Sequence, residues 1–321
     1  MARDLFVKDA GGHVPGLTRW QKDEAAAMLD VSRSAARAWF HALIGKLSKQ
    51  VAGSLKALRL SYGAASWVPY RPTFGERSLS MQDMRRRMAE MVASLAPRLV
   101  LEHTADSQGV PALMAVPTDI AVRDGRSCLV HAIEKALTLG LLGYPYVLAD
   151  GFGVPQGRQS FLSSQPSRDL FTRWIQMAAF FPAYKFSVPP WLYGDATVEV
   201  ARNLSRLHAA LVLKAMQSAE LREEVEKGLP ILRPVWWLDP ANPDVHAWRV
   251  SDEFLVGDSL LVAPVLCEGE TRRDIYVPRG VWSDKLRNTI VLGPKLLDDY
   301  RVELSEVPYF ERMQVYDEVK Q

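Results

Sequence analysis

The sequence predicts an α/β fold followed by a small antiparallel β domain, and three observations support that reading. Helix-like and strand-like apolar segments alternate as far as about residue 240, the pattern of successive βα units. The stretch 142–153, LGYPYVLADGFG, is a short apolar run that ends in Asp150 and a Gly-Phe-Gly turn. An acid placed there is expected at the functional face of an α/β barrel. After about residue 228 the texture shifts to short apolar runs split by Gly, Pro and Asp, as in 253–266, 273–284 and 307–316. That is the look of an antiparallel sheet. The expected division is residues 1–240 for the barrel part and 241–321 for a β-sandwich-like domain.

The elements follow in order. Residues 24–49 have apolar positions at helical spacing, with Ser32 as the expected cap before Ala35. Pro69 and Pro72 argue for a loop. Residues 79–95 read as a helix with Met81, Met84, Met88 and Met91 on one face, a stripe that means core packing rather than a cofactor box. Residues 98–102 and 110–116 read as strands, and 127–143 as an apolar helix closed by Gly143. YPYVLAD is the next strand, 166–182 a helix capped by Ser167 and stopped by Pro182, and 196–218 a long helix. Residues 229–240 look like a strand on which Trp236 and Trp237 point to opposite faces.

Composition excludes several function classes. Of 321 residues, 48% are hydrophobic and 24% charged, as in a folded protein. The 39 basic and 37 acidic residues leave +2, no electrostatic reason to expect nucleic acid; the basic run at 85–88 reads as a solvated helix face. Cys128 and Cys267 are too few for a disulfide framework, lack metal-ligand spacing and do not settle the redox compartment. The histidines (His13, His41, His103, His131, His208, His246) form no close pair, so no zinc site and no cofactor are implied. The start lacks the apolar core of a secretory signal. The longest apolar run, 136–149, falls short of the ~18–20 residues that a spanning helix needs. Nine tryptophans are a weak pointer to sugar stacking, because Trp also serves cores.

A family pattern emerges from FLVGDSLLVAPVL followed by IYVPRGVWSD, which resembles the junction between barrel and first C-terminal β domain in glycoside hydrolase family 31, the α-glucosidase family. LGYPYVLADGFG resembles the seventh barrel strand of that family, DLFTRWIQMAAFFPA its following helix and LPILRPVWWLDP its eighth strand. VKDAGGHVPGLTRW, FSVPPW and VPYF narrow the likeness to the branch of the myogenesis-regulating glycosidase and the SITS-binding proteins. The likeness runs from about residue 5 to residue 312. It implies a partial (β/α)8 TIM-type barrel, the C-terminal half with about strands 4–8, and then the β domain. Members of the family have an N-terminal membrane anchor, a β-sandwich and the first barrel strands, so the chain looks like the second part of such a protein. Membrane association is expected only through an anchor of that kind. Two open barrel edges make poor solubility the expectation for the chain made alone.

The resemblance also says what chemistry to look for. A retaining glycosidase needs two carboxyl groups about 5–5.5 Å apart, a nucleophile and an acid/base. In this branch the nucleophilic Asp ends the fourth strand, in a pattern like Lys-Phe-Asp-Ala-Gly-Glu shortly after a Tyr-Gly pair. Tyr62–Gly63 match the pair, yet no Asp or Glu occurs between Leu60 and Gly75, so no nucleophile is found. Tyr70 would replace it only in sialidase-like chemistry. The acid/base position falls near 115–119, with Pro117 as the best match, Asp119 two residues on and Asp124 further. Asp119 reads as a turn acid after Pro117, and a register slip of two residues would make it the acid/base.

Asp150 is expected to meet sugar hydroxyls, or else to start the turn by capping its own backbone. Trp20, Arg173, Trp191 and Arg98 complete the implied substrate-binding set, with Glu102 in closer register than Arg98. Trp174 reads as a core residue, and Trp191 as either a cleft wall or a loop staple. Where α-glucosidases commonly use a His, the chain offers Lys185 and Ser187. Two functions follow. One is a degenerate glycosidase that binds an α-linked glycan, another small anionic ligand or a protein partner. The other is an active retaining α-glycosidase, of α-glucosidase or α-galactosidase type, seen as a fragment or splice form, with window 64–75 as the discriminating feature. A disulfonate site built from Arg19, Arg71, Arg173 and Lys185 is weaker than scattered surface charge.

Overall fold

The computed structural model describes residues 4–20, 24–50, 58–60, 68–95, 99–102, 112–152, 165–247 and 251–313. The chain forms two compact units, residues 1–115 and 116–321.

In the first unit, β1 (Leu17–Trp20) pairs antiparallel with β2 (Glu24–Ala27). α1 (Ser34–Gln50), β3 (Leu58–Leu60), α2 (Met81–Ala93), β4 (Leu99–Glu102) and the start of β5 (Ala112–Thr118) follow. β3, β4 and β5 run parallel, with Leu60 opposite Leu101 and Leu101 opposite Met114. The helix expected over 24–49 is therefore shorter. Its first residues, EAAA, are strand instead, because four cross-strand pairs outweigh the helix preference of three alanines.

Ser32 is not the cap of α1. Its hydroxyl donates to Asp30 Oδ1 at 2.5 Å, and Asp30 also accepts from Arg33 Nε at 3.0 Å and Gly75 N at 2.7 Å. One buried carboxylate thus ties the entry of α1 to the loop at Gly75. α2 opens with a reciprocal capping box between Ser80 and Asp83, and the Ser80 hydroxyl holds the Asp83 carboxyl below its ordinary range. Met84, Met88 and Met91 are buried, so the Met face is core.

In the second unit, the end of β5 leads into a hairpin of β6 (Ala121–Arg123) and β7 (Arg126–Cys128). α3 (Val130–Leu141), β8 (Val147–Phe152), α4 (Arg168–Ala178), β9 (Ala183–Lys185), α5 (Asp195–Gln217) and α6 (Ala219–Glu226) come next. Gly143 ends the α3 segment at φ +90°, where a side chain would be strained. The Ser167 hydroxyl accepts from Leu170 N at 3.1 Å, the cap expected for α4. Every residue of α4 from Leu170 to Ala178 is buried. Its Phe171 and Trp174 lie in an aromatic cluster with Phe152, Phe186 and Tyr193.

β8 and β9 are parallel, with Asp150 opposite Lys185. In chain order β3, β4, β5, β8 and β9 are the parallel strands, and they make a partial TIM-type barrel of about strands four to eight. The last barrel strand is thus Ala183–Lys185 and not the segment 229–240. There, β10 (Leu232–Arg233) pairs antiparallel with a strand of the C-terminal sheet, and Val235–Leu238 is a 3-10 turn. Pro230 and Pro234 lack the N–H that a central strand would use. Trp236 and Trp237 do not alternate on a strand: both are half-buried, with ring centroids 5.9 Å apart.

After α7 (Pro243–Ala247) come β11 (Phe254–Val256), β12 (Leu260–Val262), β13 (Arg272–Asp284), β14 (Thr289–Arg301) and β15 (Tyr309–Arg312). With β10 they form one antiparallel sheet in the order β10-β11-β12-β15-β13-β14. Leu255, Leu261, Ile275, Val277, Trp282 and Phe310 fill its core.

Candidate functional site

The carboxyl ends of β5, β8 and β9 bring together the groups with binding chemistry. Asp150 sits on β8 with its side chain 15% exposed, and its Oδ1 lies 3.0 Å from Lys185 Nζ on the neighbouring strand. The same oxygen accepts from Gly151 N at 3.0 Å, so Asp150 caps its own turn and also holds a cation. Gly151 has no room for a side chain: a Cβ there would collide with Ser187. That close approach brings the segment after β9 against the end of β8.

Beneath this pair lies a hydrogen-bonded chain. Trp174 Nε1 donates to Thr118 Oγ1 at 2.9 Å, and Thr118 Oγ1 donates to the Asp150 carbonyl at 2.7 Å. Trp174 is a buried core residue, and Thr118 is buried at the end of β5. Side chains alternate across a strand, and the next residue, Asp119, is exposed and ion-paired with Lys135 of α3. Pro117 lies inside β5, and Asp124, at φ +51°, sits in the β6–β7 turn. Thr118 was not among the expected site residues; a lone polar β-branched residue ending an apolar strand was its only signal.

The other expected residues are placed as follows. Arg173 is buried on α4, where Nε donates to Asp169 Oδ1 at 2.7 Å and Nη2 donates to the Glu270 carbonyl. Trp191 lies in the 3-10 turn Pro190–Tyr193 and is 71% exposed. The stapling of that turn falls to Tyr193, which stacks on Phe171 at 4.4 Å and donates to the Pro166 carbonyl at 2.9 Å. Trp20 ends β1 and Glu102 ends β4, but their side chains, like that of Arg19, lie outside the described residues, as does Arg98 entirely. In the first unit Tyr70 is exposed, with the Arg71 guanidinium 5.3 Å above its ring. β3 is described over Leu58–Leu60, and the Tyr62–Gly63 pair lies outside the described residues. The residues directly after β3 are Ser61, Tyr62 and Gly63, outside the described residues and without a carboxylate in sequence. Among the described residues no group of three or more His, Cys, Asp or Glu is arranged to hold a metal ion.

A parallel α/β half-barrel with an acid at a strand end is thus followed in sequence by an antiparallel sheet. Residues 126–213 match the glycosyl hydrolases family 31 TIM-barrel domain, and residues 228–314 match the glycosyl hydrolase family 31 C-terminal domain. The chain belongs to glycosyl hydrolase family 31. It is 35% identical over 324 residues to the myogenesis-regulating glycosidase of Mus musculus, covering 96% of this chain and 43% of that protein. It is 29% identical to the SITS-binding protein of Tetronarce californica, covering 94% of this chain and 42% of that protein. The chain therefore spans less than half the length of these relatives.

Among solved structures, a family 31 sulfoquinovosidase from E. rectale in complex with an aza-sugar inhibitor superposes with a TM-score of 0.77 at 17% identity. That likeness covers 97% of this chain and 47% of the other. A Flavobacterium johnsoniae family 31 dextranase complexed with isomaltotriose gives 0.72 at 18% identity, over 96% of this chain and 40% of the other. Similarity at this level shows the fold.

Proposed function

We propose that this chain is a catalytically degenerate family 31 glycosidase-like protein that binds a glycan or a small anionic ligand at the ends of β5, β8 and β9 without cleaving it. The observation behind the reading is the commitment of the carboxylates. Asp150 is paired with Lys185, Asp119 is turned to Lys135, and no Asp or Glu occurs between Leu60 and Gly75. A retaining mechanism needs two carboxyl groups facing one anomeric carbon. Thr118, with its hydroxyl already donating and accepting, does not deliver a proton as a carboxylic acid would.

Binding chemistry, in contrast, survives. A Lys ammonium has three donors and a carboxylate has several lone pairs, so the Asp150–Lys185 pair can exchange part of its own contact for sugar hydroxyls. The half-exposed Lys185 also suits an anionic substituent on the ligand. Exposed Trp191 offers an aromatic face on the loop that follows.

The test combines aryl α-glucoside and α-galactoside hydrolysis with calorimetric titration of isomaltotriose and of a uronic-acid sugar. Background hydrolysis, with binding that Asp150→Ala abolishes, is the expected result. Turnover that disappears in Asp150→Ala would return the active-glycosidase alternative. Neither turnover nor binding would reject the ligand site.

A further inference from the structure

We propose that Cys128 and Cys267 are a thiol-oxidation site whose closure staples the C-terminal sheet domain to the barrel, so that the chain reaches full stability only in an oxidising compartment. Cys128 ends β7, directly before α3, and Cys267 lies in the segment that leaves β12. The two stand opposite each other in an antiparallel bridge. Leu129 N donates to the Leu266 carbonyl at 3.0 Å, and Glu268 N to the Ser127 carbonyl at 2.9 Å. The hydrogen bonds therefore flank the cysteine pair and leave it as the non-bonded site of the ladder, where opposed residues come closest. The Cα atoms are 4.1 Å apart, and the two sulfurs are joined. Both residues are buried.

The next residues of the segment are held to α4 as well. Gly269 N donates to Asp169 Oδ2 at 3.3 Å, and Arg173 Nη2 donates to the Glu270 carbonyl. The buried Arg173 therefore clamps the segment from the barrel side. These hydrogen bonds, with one from Arg126 Nη1 to Glu270 Oε1 at 3.5 Å, and one covalent link thus fix residues 266–270. Of these, the covalent link is the one that responds to redox conditions. Opening it leaves the ladder in place and removes a cross-link that spans 139 residues of sequence. Cross-links closing loops of that size restrict the unfolded chain strongly.

The chemistry is thiol–disulfide exchange. One cysteine thiolate attacks a small-molecule or protein disulfide and forms a mixed disulfide. The second thiolate then displaces the other sulfur, so the two cysteines lose two electrons and two protons and the oxidant leaves as two thiols. Reducing compartments run the same exchange backwards. Burial of both sulfurs makes native-state reduction wait for residues 264–270 to open.

The experiment uses the whole chain produced under oxidising conditions. Alkylation in denaturant followed by intact mass should show no adduct before reduction and two after it. The paired variant Cys128→Ser/Cys267→Ser should melt about 5–10 °C below the oxidised protein. Reductant should lower the wild-type melt to that of the variant and leave the variant unmoved. Hydrogen exchange at 264–270 should quicken on reduction, while α5 stays unchanged. If the paired variant fails to fold, the reduced wild-type melt answers the same question without a substitution. Two alkylatable thiols before reduction, or a melt indifferent to both reductant and substitution, would overturn the proposal.

Discussion

The barrel strand ends and the C-terminal sheet treat ionisable groups in opposite ways. At the strand ends Asp150 keeps a half-exposed lysine as its partner. Inside the sheet domain the charges are sealed and carry several partners each. Arg273 donates to Asp252 and Glu253 and to the Pro264 carbonyl. Buried Asp284 accepts from Tyr300 Oη at 2.8 Å and from the Leu286 and Arg287 amides at 2.9 and 3.0 Å. Burying a charge is costly unless hydrogen bonds replace its water. The sheet domain meets most of that requirement with protein groups, though one buried oxygen, Glu253 Oε2, has no hydrogen-bond partner among the described residues. At the strand ends the Lys185 ammonium reaches solvent.

That contrast is sharpened most by removing a sheet-core anchor. Trp282 is fully buried and donates Nε1 to the Pro278 carbonyl at 2.8 Å. Trp282→Ala should cost about 3–5 kcal/mol in urea unfolding. A loss below about 1 kcal/mol would mean that the site collapses around the gap.

The second test is pH. Burial pushes the Glu253 carboxyl up to about 8 from an ordinary 4.5, Asp252 adds to the rise, and Arg273 and the Tyr276 amide oppose it. The folded state then holds a proton that the unfolded chain has released. The contribution of Glu253 is fully present below about 4.5 and is lost as the pH climbs through about 8. Wild-type stability should fall across that window, and Glu253→Gln should remove this part of the slope. Equal slopes in the two proteins would contradict the assignment.

Smaller effects belong to the barrel end. Trp174→Phe deletes the bond to Thr118 while keeping most of the aromatic packing, and about 1 kcal/mol is the expected loss. Asp150→Ala should change stability by less than about 1 kcal/mol, since its partner Lys185 reaches water. Ligand binding, measured by calorimetry, should nevertheless disappear. A stability loss as large as that of Trp282→Ala would make Asp150 a structural group like those of the sheet.

Local chemistry was legible wherever one segment contains its own instructions. The Ser167 cap and Pro182 bounded α4, Gly143 closed α3, and the Met face of α2 named its own core residues. Asp150 was legible for the same reason: a strand, an acid and a glycine turn are contiguous. The EAAA strand, the three-residue β9 and the displacement of 229–240 into the other sheet were not, because each is decided by a partner strand distant in sequence.

The sequence by itself determined the family, the alternation of strands and helices, the acid at the end of β8 and the lack of one between Leu60 and Gly75. Only tertiary structure decided that Asp150 meets Lys185, that Thr118 lies beneath them, and that Cys128 closes on Cys267 across 139 residues. Caps, turns and apolar periodicity act within a few residues of one chain segment. Strand register and cross-links are settled between segments, where packing and burial choose the partner.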